Sequence, residues 1–192
     1  MKILLASKSP RRREILSLLN IPFSIITLDG VDESYPENLP PDKVSEFISN
    51  KKTDAFLSRI SGDELLICAD TVVICEGKIL GKPKNKDQAI EMLRFLSDKT
   101  HKVTTGVTVV TSTKRISFTS ESLVTFAKLT DEEIRYYVET YKPLDKAGAY
   151  GIQEWIGAIA VEKIDGSFYN VMGLPVHRLY QAMKQFPGFT FK

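Results

Sequence analysis

The residues best suited to chemistry stand in the middle of one apolar segment. Residues 65–75 read LLICADTVVIC, so Asp70 and Thr71 interrupt an otherwise apolar, β-branched run. Such a run predicts a strand covered on both faces near the centre of a sheet. Burying a carboxylate there is costly unless a positive or hydrogen-bonding group meets it. Asp70 is therefore either a satisfied structural residue or a metal ligand or general base at the end of a strand.

A second unusual feature is a cluster of arginines after the first predicted strand. Ser9 and Pro10 suit the N-cap and the first position of a helix, and the next three residues, 11–13, are all arginine. The helix dipole favours acidic residues in a first turn. A phosphate chain bound to the helix N–H groups would explain the arginines, and a solvated basic turn is the alternative. This candidate anion site comprises Ser7, Ser9, Arg11 and Arg12.

Other charged side chains are scattered along the chain. Glu33 belongs to an acidic loop after the second predicted strand, although most such loops are simply solvated. Lys51 and Lys52 lie on a predicted helix, and either could reach an anion or remain on the surface. Lys82 follows Gly81 at the end of a predicted hairpin and adds another cation beside a permissive backbone.

The loop at residues 145–153, DKAGAYGIQ, combines small residues with polar ones. Its two glycines and two alanines would let a ligand approach the backbone closely, and the Gln153 amide offers both a donor and an acceptor. A structural glycine-rich turn is the alternative. His101 has no partner at metal-ligand spacing, which favours a structural role.

The pattern of apolar residues predicts alternating strands and helices in a mixed sheet, of α/β or α+β class with a cleft. The Glu76-Gly77 turn predicts one antiparallel hairpin, and residues 101–110 and 116–126 predict another antiparallel pair. We expect strands at 2–6, 23–28, 65–75, 78–80, 101–110, 116–126 and 158–164, helices at 10–19, 42–59, 87–96, 130–140 and 175–185, and a tight loop at 170–175.

Composition excludes several classes of protein. A chain of 192 residues suits one domain or two small lobes, and a net charge of +2 gives no reason to expect a nucleic-acid or membrane partner. No apolar run approaches the roughly 20 residues that span a bilayer. Cys68 and Cys75 would lie about 23 Å apart on one strand, so they are not expected to pair, and two cysteines suit a reducing cytoplasm.

Together these residues suggest chemistry on a polyphosphate. The cations would hold phosphates, and two carboxylates, Glu33 and Asp70, would suit Mg²⁺ or Mn²⁺. No Ser–His or Cys–His nucleophile pair is evident, so attack by an activated water on a phosphoanhydride is the simplest mechanism. The GxxxxGK[ST] and GxGxxG phosphate-binding signatures are both absent.

Five segments resemble the Maf family of nucleoside triphosphate pyrophosphatases, first associated with septum formation. They are ASKSPRR at 6–12, ADTVV at 69–73, GKP at 81–83, DKAGAYGIQ at 145–153 and NVMGLP at 170–175. The resemblance covers essentially the whole chain. It implies a single domain over 1–192 with a two-lobed α/β fold, a mixed sheet and a central cleft, like inosine-triphosphate pyrophosphatase (Maf/Ham1). It also implies a divalent metal, a homodimer, and cleavage of a nucleoside triphosphate to the monophosphate and pyrophosphate.

The resemblance assigns roles by position. The general base falls on Asp70, its acidic metal partner on Glu33, and the catalytic lysines on Lys52 and Lys82.

The loop at residues 145–153 resembles the dTTP/UTP branch, in which positions matching Arg11, Thr71 and Gln153 select the base. A glutamine amide meets the neighbouring donor and acceptor of uracil or thymine better than those of cytosine. The chain departs from the family at Glu154-Trp155, which follow Gln153 where the family usually continues with glycine. It also departs at Lys51, which could take the place of Lys52.

Two other functions stay open at this point. One is a nucleotide-sensing regulator of septum formation and division arrest, although a pure binder would not need a general base. The other is a nucleic-acid-binding module, which the near-neutral charge and the lack of interleaved aromatic and basic residues disfavour. Whether dTTP, UTP or a modified pyrimidine nucleotide is the natural substrate is also open.

Overall fold

The computed structural model describes residues 1–190, which contain one mixed seven-stranded sheet. The strand order is β2-β1-β3-β5-β6-β7, with β4 paired to β3 off this path. β1 runs parallel to β2 and β3, whereas the β3–β4 and β6–β7 pairs are antiparallel. The predicted mixed sheet is therefore confirmed. The strands are β1 Lys2–Ala6, β2 Phe23–Ile26, β3 Glu64–Cys75, β4 Lys78–Leu80, β5 Thr100–Val110, β6 Arg115–Phe126 and β7 Val161–Asp165.

Seven α-helices lie within the described residues, and local capping signals explain where several of them begin. Ser9 caps the first helix, the Asn85 side chain accepts a hydrogen bond from Gln88 N at 2.9 Å, and Thr130 forms a capping box with Glu133. These helices begin within one residue of the predicted starts. The helices are α1 Pro10–Ser17, α2 Pro41–Phe56, α3 Lys86–Leu96, α4 Asp131–Tyr141, α5 Trp155–Ala160, α6 Phe168–Met172 and α7 Val176–Met183. Within residues 1–190, none of these helices has the length and apolar character needed to cross a bilayer.

Strand β3 confirms the prediction of a buried central strand, since ten of its twelve residues are buried. Asp70, however, lies inside this strand and not at its end. The register with β1 extends as far as Cys68, and the register with β4 begins at Val73. Asp70 therefore lies where β3 changes its neighbour, and this explains how a carboxylate can occupy a central strand and still retain 9% exposure.

The chain forms two compact units, and the first of the boundaries between them along the chain falls between Asp70 and Thr71, within β3. The first unit comprises residues 1–70, 105–120 and those from Gly173 onward. Part of its core is a cluster of Leu4, Phe56, Leu66, Cys68 and Val110.

The second unit comprises Thr71–Thr104 and Glu121–Met172. Its core is the larger of the two clusters and contains residues from α3, α4 and α5, including Leu93, Tyr137 and Ile156. These three side chains are fully buried, so the second unit has its own apolar core.

Two predicted boundaries within the second unit are wrong. The strand predicted at 158–164 begins only at Val161, because Ala158–Ala160 complete helix α5. Ile156 and Ala160 are both fully buried, and their four-residue spacing places them on one helix face. The loop predicted at 170–175 begins as helix α6, in which the buried Asn170 donates to Val103 O at 3.1 Å and to Ser122 Oγ at 3.0 Å.

Candidate functional site

One lysine joins the two predicted carboxylates. Lys52 Nζ, on helix α2, lies 2.7 Å from Asp70 Oδ1 and 2.9 Å from Glu33 Oε1. The Lys52 and Asp70 side chains are mostly buried, at 15% and 12% exposure, whereas Glu33 is 51% exposed. A buried carboxylate is stable when a cation meets it in this way. The structure thus brings Asp70, Glu33 and Lys52 together, and we call these three residues the Lys52 cluster.

The structure also separates the two neighbouring lysines of α2. Lys51 Nζ contacts Asp32 Oδ2 at 2.6 Å and the carbonyl oxygen of Ser34 at 2.9 Å. The hydrogen bond from Lys51, together with those from Ser34, lowers the pKa of Asp32 to about 2. Lys51 therefore holds the acidic loop, and Lys52 is the lysine that reaches Asp70.

Helix α2 lies unusually close to the sheet. A Cβ atom at Gly106 in β5 would come within 2.3 Å of the α2 backbone at Ser45 and Glu46, so only glycine fits there. The Ser49 hydroxyl lies 3.0 Å from the Thr108 hydroxyl in the same interface. This close, polar contact fixes the helix that carries Lys52.

The predicted anion site forms the turn between β1 and α1. The Ser7 hydroxyl oxygen accepts from Ser9 N at 3.1 Å, and the Ser9 hydroxyl oxygen accepts from Arg12 N at 3.5 Å. Both oxygens act as acceptors, so both hydroxyl hydrogens can be donated to an anion. No acidic residue lies in the first turn of α1, and Arg11 is partly buried there.

Arg12 interacts with both the backbone and the carboxylates of the first unit. Its Nε donates to the carbonyl oxygen of Gly173 at 2.8 Å. Burial lowers the pKa of Arg12, and the negative charges of Asp70 and Glu33 oppose that shift. The guanidinium is thus electrostatically coupled to the Lys52 cluster. The structure brings together Ser7, Ser9, Arg12, Glu33, Lys52 and Asp70 within the first unit.

The donor set of the Lys52 cluster suits a hard divalent cation. Residues 1–190 contain no group of three or more His, Cys, Asp or Glu side chains that could hold a metal. Glu33 and Asp70 nevertheless contact the same ammonium nitrogen, so their oxygens lie within two hydrogen-bond lengths of each other. Mg²⁺ commonly binds one or two carboxylates and takes its other ligands from phosphates and water. The two carboxylates therefore fit such an ion in the presence of a polyphosphate.

The remaining predicted site residues belong to the second unit. Thr71 is partly exposed on β3, and Lys82 and Gln153 are exposed. The backbone beside Lys82 is held by a hydrogen bond from Gly148 N to Gly81 O at 3.1 Å, which joins the GKP segment to the 145–153 loop. These two segments, distant in the sequence, are thus neighbours within this unit.

Gln153 lies at the tip of a tight turn. Glu154 N donates to Gly151 O at 3.0 Å, which closes a β-turn with Ile152 and Gln153 at its centre. The Tyr137 hydroxyl accepts from Gly151 N at 3.0 Å and donates to the Glu154 carboxylate. Lys146 Nζ lies 3.1 Å from the other carboxylate oxygen of Glu154. We call Tyr137, Lys146, Gly151 and Glu154 the Tyr137 network.

Sequence reasoning missed the role of Tyr137. In the sequence Tyr137 follows Ile134 at helical spacing, so its ring is indistinguishable from an ordinary core residue. The only signal was the carboxylate of Glu154 directly before an apolar segment, since a carboxylate that becomes buried there needs a partner.

The structural role predicted for His101 agrees with its surroundings. His101 is 1% exposed, its Nε2 lies 2.7 Å from the Tyr150 hydroxyl, and its ring packs edge-on against Phe126. Burial lowers the pKa of His101 to about 4. The ring is therefore neutral near pH 7 and belongs to the core of the second unit.

The two cysteines are both buried and unpaired, as predicted. Burial raises the pKa of the Cys68 thiol to about 11, so a thiolate nucleophile next to the Lys52 cluster is unfavourable. This supports the prediction that no cysteine acts as a nucleophile.

Comparison with known proteins assigns the class of the fold and then the family. A HAM1 protein from Coxiella burnetii aligns over 97% of this chain and 100% of its own, with a TM-score of 0.51 and 10% identity, which shows a shared mixed α/β fold. The profile of the family described as Maf-like protein matches residues 2–186. The chain belongs to the Maf family, as its motifs predict.

Curated relatives carry one common name. A protein of Parabacteroides distasonis is 53% identical over 185 residues, covering 96% of both chains. One from Bacteroides thetaiotaomicron is 53% identical over 184 residues, covering 96% of this chain and 95% of its own. A third, from Flavobacterium johnsoniae, is 45% identical over 182 residues, covering 95% and 93%. Each is named dTTP/UTP pyrophosphatase.

Proposed function

We propose that this chain is a dTTP/UTP pyrophosphatase, which hydrolyses these nucleotides to the monophosphate and pyrophosphate. The names of its relatives support the substrates and the reaction. The observation that carries the proposal is the Lys52 cluster, in which a mostly buried Asp70 shares one ammonium group with Glu33. A carboxylate held in place beside cations is what activation of water near a phosphate chain requires.

Asp70 acts as the general base in this mechanism. Lys52 binds Oδ1 and thereby fixes the orientation of the carboxylate, so Oδ2 is the oxygen that takes a proton from water. The oxygen of that water forms a bond to the α-phosphorus. The bond from the α-phosphorus to the bridging oxygen breaks, and the electron pair leaves with pyrophosphate.

The turn between β1 and α1 binds the phosphates. The hydroxyl hydrogens of Ser7 and Ser9 can be donated to a phosphate, and Arg11 and Arg12 supply positive charge at the start of the helix. Lys52 and Lys82 add further positive charge as negative charge develops on the leaving group. Because phosphates are common to all nucleotides, these contacts set affinity and rate but not the choice of base.

A divalent cation, Mg²⁺ or Mn²⁺, would be held by Glu33 and Asp70. When bound, it would neutralise phosphate charge and lower the pKa of water. Glu33 suits this role because its side chain is half exposed while one oxygen contacts Lys52.

Selection of the base is assigned to Gln153, with Arg11 and Thr71. The Gln153 amide is exposed at the tip of its turn, where a donor and an acceptor are presented together. Uracil and thymine carry an N–H group beside a carbonyl, which pairs with one amide in two hydrogen bonds. Cytosine offers an acceptor where uracil offers that donor, so one amide contact is lost.

The test is pyrophosphate release from a panel of triphosphates, including UTP, dTTP, CTP and modified pyrimidines, with Mg²⁺, with Mn²⁺ and with chelator. We expect metal-dependent release of pyrophosphate from dTTP and UTP, leaving the monophosphate. Release of single phosphates would contradict attack at the α-phosphorus. Nucleotide binding without turnover would favour a regulatory nucleotide sensor.

A further inference from the structure

One hydroxyl group holds both ends of the turn that carries Gln153. Tyr137 accepts a hydrogen bond from Gly151 N at the start of the turn and donates one to the Glu154 carboxylate at its end. Of the two residues between Gly151 and Glu154, Ile152 is 6% exposed and belongs to the apolar core. Gln153 is therefore the exposed residue of a turn whose other three residues are held by Tyr137 or by the apolar core.

A buried cation completes the hold on Glu154. Lys146 is 8% exposed and lies 3.1 Å from Glu154 Oε1 and 2.8 Å from Asp145 Oδ1. Tyr137 occupies the second oxygen of Glu154, so both carboxylate oxygens have partners. A partly buried carboxylate with both oxygens satisfied has little freedom to rotate.

The Glu154 side chain also packs closely against the backbone of Gly151. A Cβ atom at Gly151 would lie 2.8 Å from Glu154 Cδ and 3.0 Å from its Oε2. The side chain of Glu154 thus packs directly against the first residue of its own turn. The Glu154 carboxylate points back under the loop, toward Tyr137 and Lys146, whereas the Gln153 side chain is open to solvent.

We propose that Tyr137, Glu154 and Lys146 are positioning residues that present Gln153 for selection of the pyrimidine base. This inference rests on the proposed function, because it assumes that Gln153 contacts the base. A turn held at both ends places the Gln153 backbone in one position before substrate arrives, so less conformational freedom is lost on binding. The contacts of Glu154 therefore stiffen the loop and leave the Gln153 side chain exposed.

The first test replaces Tyr137 with phenylalanine, which removes only the hydroxyl group. The readout is the ratio of kcat/KM for UTP to that for CTP, and we expect Tyr137→Phe to reduce this ratio about tenfold. Tyr141→Phe is the matched control, because Tyr141 stacks on the Tyr137 ring and its hydroxyl makes no hydrogen bond within residues 1–190. An unchanged ratio in folded Tyr137→Phe overturns the proposal.

A double variant separates positioning from general loosening of the fold. If Tyr137 acts through Gln153, the double variant Tyr137→Phe/Gln153→Ala has the same UTP/CTP ratio as Gln153→Ala alone. If the UTP/CTP ratio of the double variant falls by the product of the two single-variant losses, Tyr137 acts independently of Gln153, and the inference is contradicted. Hydrogen exchange at the Glu154 amide, which closes the turn, should be faster in Tyr137→Phe and unchanged in Tyr141→Phe.

Dissociation constants for UTP and CTP, measured with chelator present, distinguish the two proposals. Binding that prefers UTP without any turnover, and that loses its preference in Tyr137→Phe, would support the positioning role while the proposed reaction fails. Turnover of UTP with the same preference in Tyr137→Phe would support the reaction while the positioning role fails. Binding with no preference for UTP in the unaltered protein would contradict the positioning role directly.

Discussion

Two lysines of this chain each contact two carboxylates, but the two groups of residues are suited to different roles. Lys52 contacts Asp70 and Glu33 in the first unit, at 2.7 and 2.9 Å. Lys146 contacts Asp145 and Glu154 in the second, at 2.8 and 3.1 Å. In each group one carboxylate is mostly buried and the other is about half exposed, so burial does not distinguish them.

The difference lies in what else the buried carboxylate touches. Glu154 also accepts from Tyr137, which in turn holds the backbone of the turn, so its carboxylate is a structural clamp. Asp70 lies on a strand where the neighbouring strand changes, and Lys52 binds only its Oδ1. An ion pair of the same composition is thus suited to proton transfer in one place and to holding backbone in the other.

The sharpest test of this comparison removes the negative charge from each buried carboxylate. Asp70→Asn should lower kcat by about 10²–10⁴-fold, because the general base is lost, while nucleotide affinity changes little. Steady-state kinetics on UTP and direct binding measure the two effects. Retained turnover would contradict the role of Asp70 as base.

The matched variant in the other cluster is Glu154→Gln. It should lower kcat by less than about tenfold and shift the preference for UTP over CTP, because the clamp and not the base is altered. A loss of kcat as large as that of Asp70→Asn would break the comparison.

Replacement of the lysine in the first cluster should have the next largest effect. Lys52→Met should lower kcat about 10²–10³-fold, since it removes a positive charge near the phosphates and the group that orients Asp70. Lys51→Met is the control on the same helix, because it removes the contacts with Asp32 and Ser34 and leaves the Lys52–Asp70 pair in place. Equal losses of kcat in the two variants would contradict the separate roles assigned to Lys51 and Lys52.

The core of the second unit should show its own pH dependence. The folded pKa of His101, about 4, lies below the unfolded value of about 6.5, so the unfolded state binds more protons between these values. The free energy of unfolding should therefore fall by up to about 3 kcal/mol as the pH drops from 6.5 to 4. Urea unfolding across this range measures it.

His101→Gln should remove most of this dependence, whereas His177→Gln, at an exposed position, should retain it. Asp32 and Glu64, whose pKa values are lowered to about 2 in the folded state, also lose their stabilisation as the pH falls, but mainly below about pH 4.5, at the lower end of this window. An unaltered slope in His101→Gln would mean that other groups cause the loss.

Removal of the proposed contact between Arg12 and the phosphates should have a smaller effect, which is the same for every nucleotide base. Arg12→Ala should raise KM about 10- to 100-fold for every triphosphate, because a hydrogen bond to a charged group contributes about 1.5–3 kcal/mol. Arg13→Ala, at an exposed position one residue later, is the control. A change in the UTP/CTP ratio would place Arg12 at the base and not at the phosphates.

An effect confined to the choice of base is expected at the tip of the turn. Gln153→Ala should reduce the UTP/CTP ratio of kcat/KM about tenfold and leave the rate with CTP nearly unchanged. Kinetics on the two nucleotides test this, and an unchanged ranking would remove Gln153 from base selection.

Much of the fold and several site residues follow from local patterns. The apolar run around Asp70 predicts a buried strand, and Ser9, Asn85 and Thr130 predict helix starts, because capping depends on residues only a few positions apart. The family motifs add roles for Asp70, Glu33, Lys52 and Gln153, and these roles stay predictions until the variants are measured.

Other features depend on residues far apart in the sequence. Ala158–Ala160 complete a helix because Ile156 and Ala160 are buried together, although the same residues also suit a strand. Likewise, nothing local links Tyr137 to Glu154, which stands 17 residues later.

The amino-acid sequence by itself determined the family, the buried central strand and the basic turn at the first helix, because each depends on residue types at short spacing. Only the tertiary structure decided that Lys52 and not Lys51 meets Asp70, and that Glu154 turns back to Tyr137. The physical reason is that an ion pair forms wherever packing brings two oppositely charged side chains together. At Gly106 that packing is set by the approach of α2 to β5, which no local pattern encodes.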